Sequence, residues 1–320
     1  MSMARVGAGY FTGARANGTM IAGARVGTGT AGFHHGEILQ GACVHSGSLT
    51  ACLVTMPARG IGSTARYSPV PRHALQVWPR WKAKAQRAAR LTLEHLGEAA
   101  SGLLEVEGAL QTGIGLGSST CDVVAAIRAV GAAFDVRLNA QRIAWIAIEA
   151  ERAADPIMFD DEIVLFAQRQ GKMLESFGGW VPPFTVLSLD TDPAGRGVET
   201  LSLPPPQYTA RELAMLVELI DSLRAAFRWR DAAAVARVAT ASAQLNQRVL
   251  PMRGFTDIRG IAERHEALGV QISHSGTLAG VLFHGRTPPE GDVIARARAD
   301  LESAGLRPLG QFTTGEGERS

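Results

Sequence analysis

The sequence has few cysteines and no excess of either charge. Its 320 residues include three cysteines, Cys43, Cys52 and Cys121, and no C-x-x-C pair. A sparse and odd set of cysteines argues against a disulfide framework and against a structural zinc site, and it suits a reducing cytoplasm, where we expect the protein. The formal net charge is +2, from 32 basic and 30 acidic residues, so we expect no nucleic-acid partner.

Long apolar runs are also missing. No stretch approaches the roughly 18 consecutive apolar residues that a membrane-spanning helix needs, and the N-terminus lacks the apolar centre of a signal peptide. We therefore expect no membrane partner. With 46% hydrophobic and 19% charged residues, the chain has an ordinary globular composition and enough length for two modest domains.

The most informative stretch is rich in glycine and hydroxyl groups and reads Gly113-Ile-Gly-Leu-Gly-Ser-Ser-Thr120. The alternating pattern over residues 103–110 predicts a strand before it, and the Ala-rich and Val-rich run from Cys121 to Phe134 predicts a helix after it. A helix N-terminus behind a glycine loop favours anion binding, because free N–H groups and the positive end of the helix dipole face the loop. The spacing matches neither a Walker A loop nor a dinucleotide fingerprint. A tight turn with a good helix cap is the alternative.

A second polar stretch, residues 31–41, contains His34, His35 and Glu37. Paired histidines are typical of some metal sites, but neighbouring residues on a strand point to opposite faces, and no matching third ligand lies nearby in the sequence. We therefore interpret this stretch as a substrate-facing loop, which a strand beginning near Leu49 follows.

Basic residues cluster around a helix that is predicted to end at Gly97, a residue suited to the position just after a helix. A solvated basic face is the ordinary interpretation of such a cluster. The alternative is that one or two of these cations approach nucleotide phosphate. The cluster comprises Arg72, Arg80, Lys82, Lys84, Arg87 and Arg90.

Carboxylates gather at the end of the next predicted helix, which Asn139 is expected to cap at its start. Glu149 and Glu151 lie near the helix C-terminus, where the helix dipole disfavours acids, and Asp155 follows directly before Pro156. Two carboxylates four residues apart could serve as a base and a magnesium ligand. A surface acid and an Asp-Pro helix stop are the alternative.

The C-terminal third has a different pattern. Pro204-Pro-Pro206 is the best candidate linker, and helices are predicted over much of residues 209–268. A turn of small residues, 275–277, then precedes a buried strand that ends near Phe283. A second loop of glycine and hydroxyl residues is what a nucleotide site assembled from two domains would contain.

Three separated motifs together resemble the GHMP kinases, a superfamily that includes galactokinase, homoserine kinase, mevalonate kinase and phosphomevalonate kinase. Residues 110–120 resemble the phosphate motif P-x-x-x-G-L-G-S-S-A, without the usual Pro and with Thr120 where Ala is common. Residues 275–280 resemble the C-terminal glycine motif. His35-Gly-Glu-Ile-Leu-Gln-Gly41 is similar to the C-G-E-L-L/I-Q-G stretch of the L-threonine kinase branch of cobalamin side-chain synthesis, as are residues 155–159 and 164–171. A histidine pair stands where that branch often has Ser-Cys.

The resemblance implies an α+β fold of two domains. Residues 1–205 would form the ATP-binding N-terminal domain, of the ribosomal protein S5 domain 2-like type, and residues 206–320 a ferredoxin-like C-terminal domain. The active site would lie between them. The oligomeric state stays open, with a homodimer as one alternative.

The resemblance also assigns roles to particular residues. Asp155 would be the catalytic base or would orient the acceptor hydroxyl, and Mg²⁺ would be held by Ser119 and Glu151, with Glu149 as the rival of Glu151. From their charges, we assign Glu37 to a substrate ammonium and His35 to a substrate carboxylate. Ser275, Gly276 and Thr277 are further predicted substrate contacts. The predicted ATP site comprises Gly113, Gly115, Leu116, Gly117, Ser118, Ser119 and Thr120.

The implied function is that of an ATP-dependent small-molecule kinase that needs Mg²⁺. Its acceptor would be the side-chain hydroxyl of a hydroxy amino acid, with L-threonine as the first choice. Another small alcohol, such as L-serine, homoserine or a specialised-metabolite precursor, is one alternative. The other is a nucleotide-binding regulator without turnover, which the pairing of Glu151 with Asp155 disfavours because a pure binder needs neither.

Replacing Gly117 by Val is expected to block nucleotide binding, because the added side chain would intrude where backbone N–H groups approach the phosphates. Isothermal titration calorimetry with ATP measures the effect. Unchanged nucleotide affinity would argue against assigning residues 113–120 to the phosphates.

Overall fold

The computed structural model describes residues 25–71, 73–108, 118–192, 203, 206–274, 277–285 and 292–315, apart from the side chains of 59–61. Within these ranges the chain forms a ten-stranded sheet and seven helices. The helices are α1 (Ala83–Leu96), α2 (Ser118–Ala133), α3 (Ala140–Glu151), α4 (Ala210–Trp229), α5 (Ala232–Asn246), α6 (Phe255–Arg264) and α7 (Val293–Ser303). The strands are β1 (Gly27–His45), β2 (Ser48–Ser68), β3 (Gln76–Trp78), β4 (Leu103–Gly108), β5 (Val164–Ala167), β6 (Lys172–Ser176), β7 (Phe184–Asp190), β8 (Gly269–Ile272), β9 (Leu278–His284) and β10 (Arg307–Thr313).

The sheet is continuous from one end of the molecule to the other. Its strand order is β10-β7-β9-β8-β1-β2-β4-β3, and β5 pairs with both β2 and β6. All pairs are antiparallel except β3 with β4. The two halves of the sheet meet where β1 pairs with β8, and the paired residues at this joint are Glu37 and Ile272.

Three hydrophobic clusters cover the sheet. The first packs α1, α2 and α3 against β1, β2 and β4. The second packs α4 and α5 near the centre, and the third packs α6 and α7 against β7, β8 and β9. This packing on the N-terminal half of the sheet places the start of α2 and the end of α3 beside β1.

Glycine allows α2 to lie unusually close to the start of β1. A Cβ atom on Gly29 would lie 2.3 Å from the carbonyl oxygen of Ala125, and one on Gly27 would lie 2.2 Å from that of Ala129. Alanines on the helix face these glycines, so the two backbones nearly touch. This close packing fixes α2, and with it the first turn that carries Ser118, relative to β1.

Helices that the sequence predicts from caps are confirmed. Asn139 accepts a hydrogen bond from the N–H of Arg142 at 2.8 Å and begins α3. Gly97 ends α1 in the left-handed conformation. Thr209 and Glu212 form a capping box at the start of α4.

The prediction of a loop over residues 31–41 is wrong. These residues belong to β1, whose pairing with β2 shifts register at Gly32/Phe33, His34/Glu37 and Glu37/Leu39. Extra residues in such bulges break the period-two pattern by which a strand is recognised in a sequence. The short strands β3 and β6 were also not predicted.

The predicted domain boundary after residue 205 remains a prediction. β7 precedes this boundary and lies between β9 and β10, which follow it. Residues 204 and 205 of the predicted linker lie outside the described residues. Among the residues that the structure describes, no helix combines the length and the apolar character that a bilayer-spanning segment requires.

Replacing Gly29 by Ala is expected to destabilise the protein by about 1–3 kcal/mol or more, the range for overpacking a filled interior. The added methyl group would lie 2.3 Å from a backbone oxygen that cannot move independently of α2. Gly260 in α6 is the matched control, since nothing lies within 4 Å of its would-be Cβ atom. Ala at this helical position is expected to stabilise by about 0.5–1 kcal/mol. Urea denaturation measures both, and equal effects at the two positions would contradict the close packing of β1 on α2.

Candidate active site

The first turn of α2 forms one wall of the candidate site. Helix α2 begins at Ser118, and the hydroxyl groups of Ser119 and Thr120 lie in its first turn. Residues 109–117, with the predicted ATP-binding Gly113, Gly115, Leu116 and Gly117, lie outside the described residues, so their roles stay predictions. The described part nonetheless places a helix N-terminus, which favours anions, directly after this glycine run.

Glu151, at the end of α3, faces these hydroxyl groups. Ser119 Oγ donates to Glu151 Oε2 at 2.8 Å, and Thr120 Oγ1 donates to Glu151 Oε1 at 2.8 Å. Glu151 is buried, whereas its rival Glu149 is exposed. Burial raises the pKa of Glu151 to about 7, although the charge of Lys84 and the two hydroxyl donors oppose that rise.

Two lysines of the basic cluster turn towards acids near α2. The ammonium of Lys84 lies 3.7 Å from Glu151 Oε2. Lys82 forms an ion pair with Asp122, which also accepts a hydrogen bond from Ser63 Oγ at 2.8 Å. The cluster is therefore not wholly a solvated face: at least these two cations lie beside α2.

Asp155 lies beside the same hydroxyl groups. Helix α3 ends at Arg152, which adopts the left-handed conformation, and the chain then turns towards α2. The N–H of Asp155 lies 3.4 Å from Thr120 Oγ1, and Asp155 Oδ2 lies 3.5 Å from the same atom. The single hydroxyl proton of Thr120 serves the shorter bond to Glu151. Thr120 thus accepts from the backbone of Asp155 and connects the two carboxylates.

His34 is a site residue that sequence reasoning missed. Its Nε2 atom lies 2.9 Å from Asp155 Oδ2, and its Nδ1 atom lies 3.9 Å from Glu37 Oε1. Burial alone would lower the pKa of His34, but the charges of Asp155 and Glu37 outweigh it and raise the pKa to about 9. Burial would raise the pKa of Asp155, yet the His34 charge lowers it overall. His34 is therefore an imidazolium at neutral pH, and Asp155 a carboxylate.

Glu37 lies at the inner end of this group. Its side chain is 1% exposed, and neither carboxylate oxygen accepts a hydrogen bond of good geometry among the described residues, although the backbone N–H of His274 lies nearby and lowers the pKa of Glu37. Burial raises its pKa to about 8, against the opposing charge of His34. Three residues apart on a regular strand, His34 and Glu37 would face opposite sides, but the bulges in β1 and the left-handed Gly36 (φ 64°) bring both towards Asp155.

His35 faces the C-terminal half of the sheet. Its Nε2 atom lies 2.8 Å from Ser188 Oγ, and its Nδ1 atom contacts the Gln271 side chain. Burial lowers the pKa of His35 to about 3, so the ring is neutral. Its assignment to a substrate carboxylate stays a prediction, and the only charge-bearing imidazole of the pair is that of His34.

The predicted contacts of the C-terminal glycine motif are only partly described. Ser275 and Gly276 lie outside the described residues. Thr277 Oγ1 donates to Asp190, and the backbone carbonyl of Thr277 accepts from Thr191 Oγ1 at 2.8 Å. Substrate binding by these three residues stays a prediction.

Ser119 and Glu151 fit a magnesium ion chemically. The serine hydroxyl and the carboxylate supply hard oxygen ligands, and their ligand atoms lie 2.8 Å apart, close to the spacing of adjacent ligands around Mg²⁺. A bound cation would also keep Glu151 ionised in spite of its raised pKa.

The comparisons with known proteins define the class of protein. The family described as "GHMP kinases N terminal domain" matches residues 83–160, which run from the start of α1 past Asp155. The resemblance to the GHMP kinases is therefore confirmed, and the chain has their two-domain α+β fold. These findings support a small-molecule kinase.

Particular relatives extend the similarity over most of the chain. The L-threonine kinase of Salmonella typhimurium is 22% identical over 253 residues, which cover 78% of this chain and 80% of that protein. The homoserine kinase of Cytophaga hutchinsonii superposes with a TM-score of 0.64 at 14% identity, over 94% of this chain and 96% of that one. The mevalonate kinase of L. major, solved with R-mevalonate, has a TM-score of 0.59 at 17% identity, over 94% and 98% of the two chains.

The pairing of His34 with Asp155 can be tested by titration. We expect the His34 ring to titrate near pH 9 in NMR spectra, because its pKa is raised to about 9, and Asp155→Asn to lower that midpoint by about one unit or more. The stability that this pair contributes is full below about pH 6.5 and is lost as the pH rises through about 9.

Asp160→Asn is the matched control, since Asp160 pairs with Arg128 rather than with His34. A His34→Gln variant assigns the resonance. A wild-type midpoint near 6.5, or equal midpoints in the Asp155→Asn and Asp160→Asn variants, would show that Asp155 does not hold His34 in its charged form.

Proposed function

We propose that this protein is an ATP-dependent kinase that phosphorylates the side-chain hydroxyl of a hydroxy amino acid, with L-threonine as the first candidate acceptor. The observation that carries this proposal is the contact chain from α2 to β1, in which Thr120 connects Glu151 to Asp155 and Asp155 pairs with His34. It joins the predicted phosphate-binding helix terminus, the predicted magnesium ligand Glu151 and the partly buried carboxylate of Asp155.

The nucleotide side of the site consists of the start of α2. The N–H groups of its first turn and of the glycine loop before it would hold the β- and γ-phosphates. Ser119 and Glu151 would hold Mg²⁺, which would supply positive charge to neutralise the phosphates. Lys84, whose ammonium is 3.7 Å from Glu151, adds a positive charge near the transferred group.

The acceptor side consists of Asp155 and His34. In the transfer step a bond forms between the acceptor oxygen and the γ-phosphorus, and the bond from that phosphorus to the β–γ bridging oxygen breaks. Asp155 orients the acceptor hydroxyl through a hydrogen bond and takes its proton. His34 holds the Asp155 carboxylate in place and in its ionised form at neutral pH. Because Asp155 is a weak base, orientation is its larger contribution.

The choice of L-threonine is supported by the curated relative, which is an L-threonine kinase. L-serine and homoserine remain rival acceptors with the same functional groups. A nucleotide-binding regulator without turnover would retain the start of α2 but would have no use for the buried pairing of Asp155 with His34.

ADP release measured over amino acids and amino alcohols is expected to show turnover with L-threonine. Asp155→Asn should lower kcat by about 10²- to 10⁴-fold, the usual contribution of a positioned acid–base group, and leave ATP affinity within about threefold. Asp160→Asn, an exposed acid paired with Arg128, should retain full turnover.

Equal kcat in the Asp155→Asn variant and the wild type would remove Asp155 from the mechanism. Tight ATP binding without ADP release for any alcohol would favour the regulator over the kinase.

A further inference from the structure

We propose that the acceptor is a vicinal amino alcohol, whose ammonium binds Glu37 while its hydroxyl binds Asp155, and that Glu37 is the residue that selects it. This inference rests on the proposed kinase function and narrows its acceptor class. The geometry that carries it is a buried carboxylate without a well-formed hydrogen bond, one oxygen of which lies within 4.8 Å of an oxygen of the carboxylate that orients the acceptor hydroxyl.

Glu37 lacks the partners that a buried carboxylate needs. Its side chain is 1% exposed, and neither oxygen accepts a hydrogen bond of good geometry among the described residues, although the backbone N–H of His274 lies near enough to lower the pKa of Glu37. Buried polar atoms are almost always hydrogen-bonded, and leaving a charged one unsatisfied is costly. His34 Nδ1 is 3.9 Å from Glu37 Oε1, which is too far for a hydrogen bond, so the His34 ring does not satisfy the carboxylate. A ligand with N–H donors and a positive charge would supply the missing hydrogen bonds.

The charged groups around Glu37 can be balanced by one additional cation. When Glu37 is ionised, its charge and that of Asp155 are opposed by a single imidazolium, His34. His274, at the end of β8, also faces this group, but burial lowers its pKa, so its ring is neutral. Glu151 adds a further negative charge near Asp155, and there Lys84 and the predicted Mg²⁺ provide compensation. An acceptor ammonium would balance the remaining carboxylate.

The spacing of the two carboxylates favours a vicinal arrangement of amine and hydroxyl. One oxygen of Glu37 and one of Asp155 lie within 4.8 Å of each other. In a vicinal amino alcohol, nitrogen and oxygen are three bonds apart and about 3 Å apart when gauche, given C–C and C–N bonds of about 1.5 Å. Each can then reach its own carboxylate at hydrogen-bond distance. With one more carbon between the amine and the hydroxyl, an extended acceptor whose amine binds Glu37 has its hydroxyl farther from Asp155.

A metal ion is the rival occupant of this group. His34, Glu37 and Asp155 each offer a ligand atom within 4.8 Å of the others. However, the Nδ1 atom of His34 faces Glu37 and the Nε2 atom faces Asp155, so the ring lies between the carboxylates. One ion can bind only one nitrogen of a ring, so an ion bound through Nε2 would break the contact between His34 and Asp155. The arrangement therefore favours an ammonium.

Two matched pairs of acceptors test the requirement for the amine. L-Threonine and 3-hydroxybutyrate differ only in the amine, and L-serine and L-homoserine differ by one carbon between the amine and the hydroxyl. We expect kcat/KM at least about tenfold higher for L-threonine and for L-serine than for their partners, as the loss of a charged hydrogen bond would give. Comparable values within each pair would overturn the inference and leave the kinase function intact.

Glu37→Gln keeps the shape of the side chain and removes its charge. It should raise the KM for L-threonine by about 10- to 150-fold, the range of one charged hydrogen bond, and leave the KM for ATP unchanged. Glu94→Gln, which alters an exposed acid on α1, is the matched control and should leave both constants unchanged. An unchanged KM for L-threonine in a folded Glu37→Gln variant would overturn the assignment.

Proton release on binding tests the wild-type protein without any turnover. The pKa of Glu37 is about 8, so the carboxyl is largely protonated at pH 7, and an ammonium beside it would ionise it. Calorimetry in buffers of different ionisation enthalpy should show about one proton released per L-threonine bound at pH 7, and no release with 3-hydroxybutyrate. Absence of proton release, or equal affinity for the two ligands, would overturn the inference even if no alcohol is phosphorylated.

Titration of the chelator-treated protein with Zn²⁺ tests the rival occupant. Tight Zn²⁺ binding that Glu37→Gln abolishes and that L-threonine does not displace would overturn the inference in favour of a metal site. Zn²⁺ binding that is absent, or unaffected by Glu37→Gln, supports it.

Discussion

The irregular centre of β1 is the constraint on which the rest of the site depends. Gly36 has a φ of 64°, which favours glycine, and a Cβ atom there would lie 2.9 Å from the backbone oxygen of Ile272 as well as against the Gln271 side chain. The register shifts on both sides of it bring His34 and Glu37 to the side of Asp155. The same stretch provides the pairing of Glu37 with Ile272 that joins the two halves of the sheet. The joint between the two halves of the sheet and the proposed acceptor side of the site therefore belong to the same stretch of backbone.

The site is built from buried charges whose arrangement favours function over stability. Removing one partner of a buried ion pair typically costs about 3–5 kcal/mol, because the other charge is left uncompensated. In this site burial raises the pKa of Glu37 to about 8 and of Glu151 to about 7. Both carboxylates therefore hold protons that an unfolded chain would release near neutral pH. Such perturbed groups cluster where ligands complete the electrostatics.

How much the sequence predicts depends on whether the signal is local. Asn139 and Gly97 marked helix ends through their own backbone preferences, and the pairing of Glu151 with Ser119 followed from the family resemblance. The strand over residues 31–41 was not predicted, because bulges remove the alternation that identifies strands. His34 was missed because its contact with Asp155 joins distant parts of the chain, and only the folded β1 shows which of two adjacent histidines faces the site.

The departure at Thr120 from the common phosphate motif has a physical explanation in this structure. Alanine, which is common at that position, has no group that could touch Glu151 or Asp155. The Thr120 hydroxyl donates to Glu151 at 2.8 Å and lies 3.4 Å from the backbone nitrogen of Asp155, so it connects the predicted magnesium ligand with the predicted catalytic carboxylate. Asp155 is in turn held by His34. A movement of β1 at His34 can therefore be transmitted to the start of α2 through this series of direct contacts. One of the residues that depart from the motif is therefore the one that connects Glu151 with Asp155.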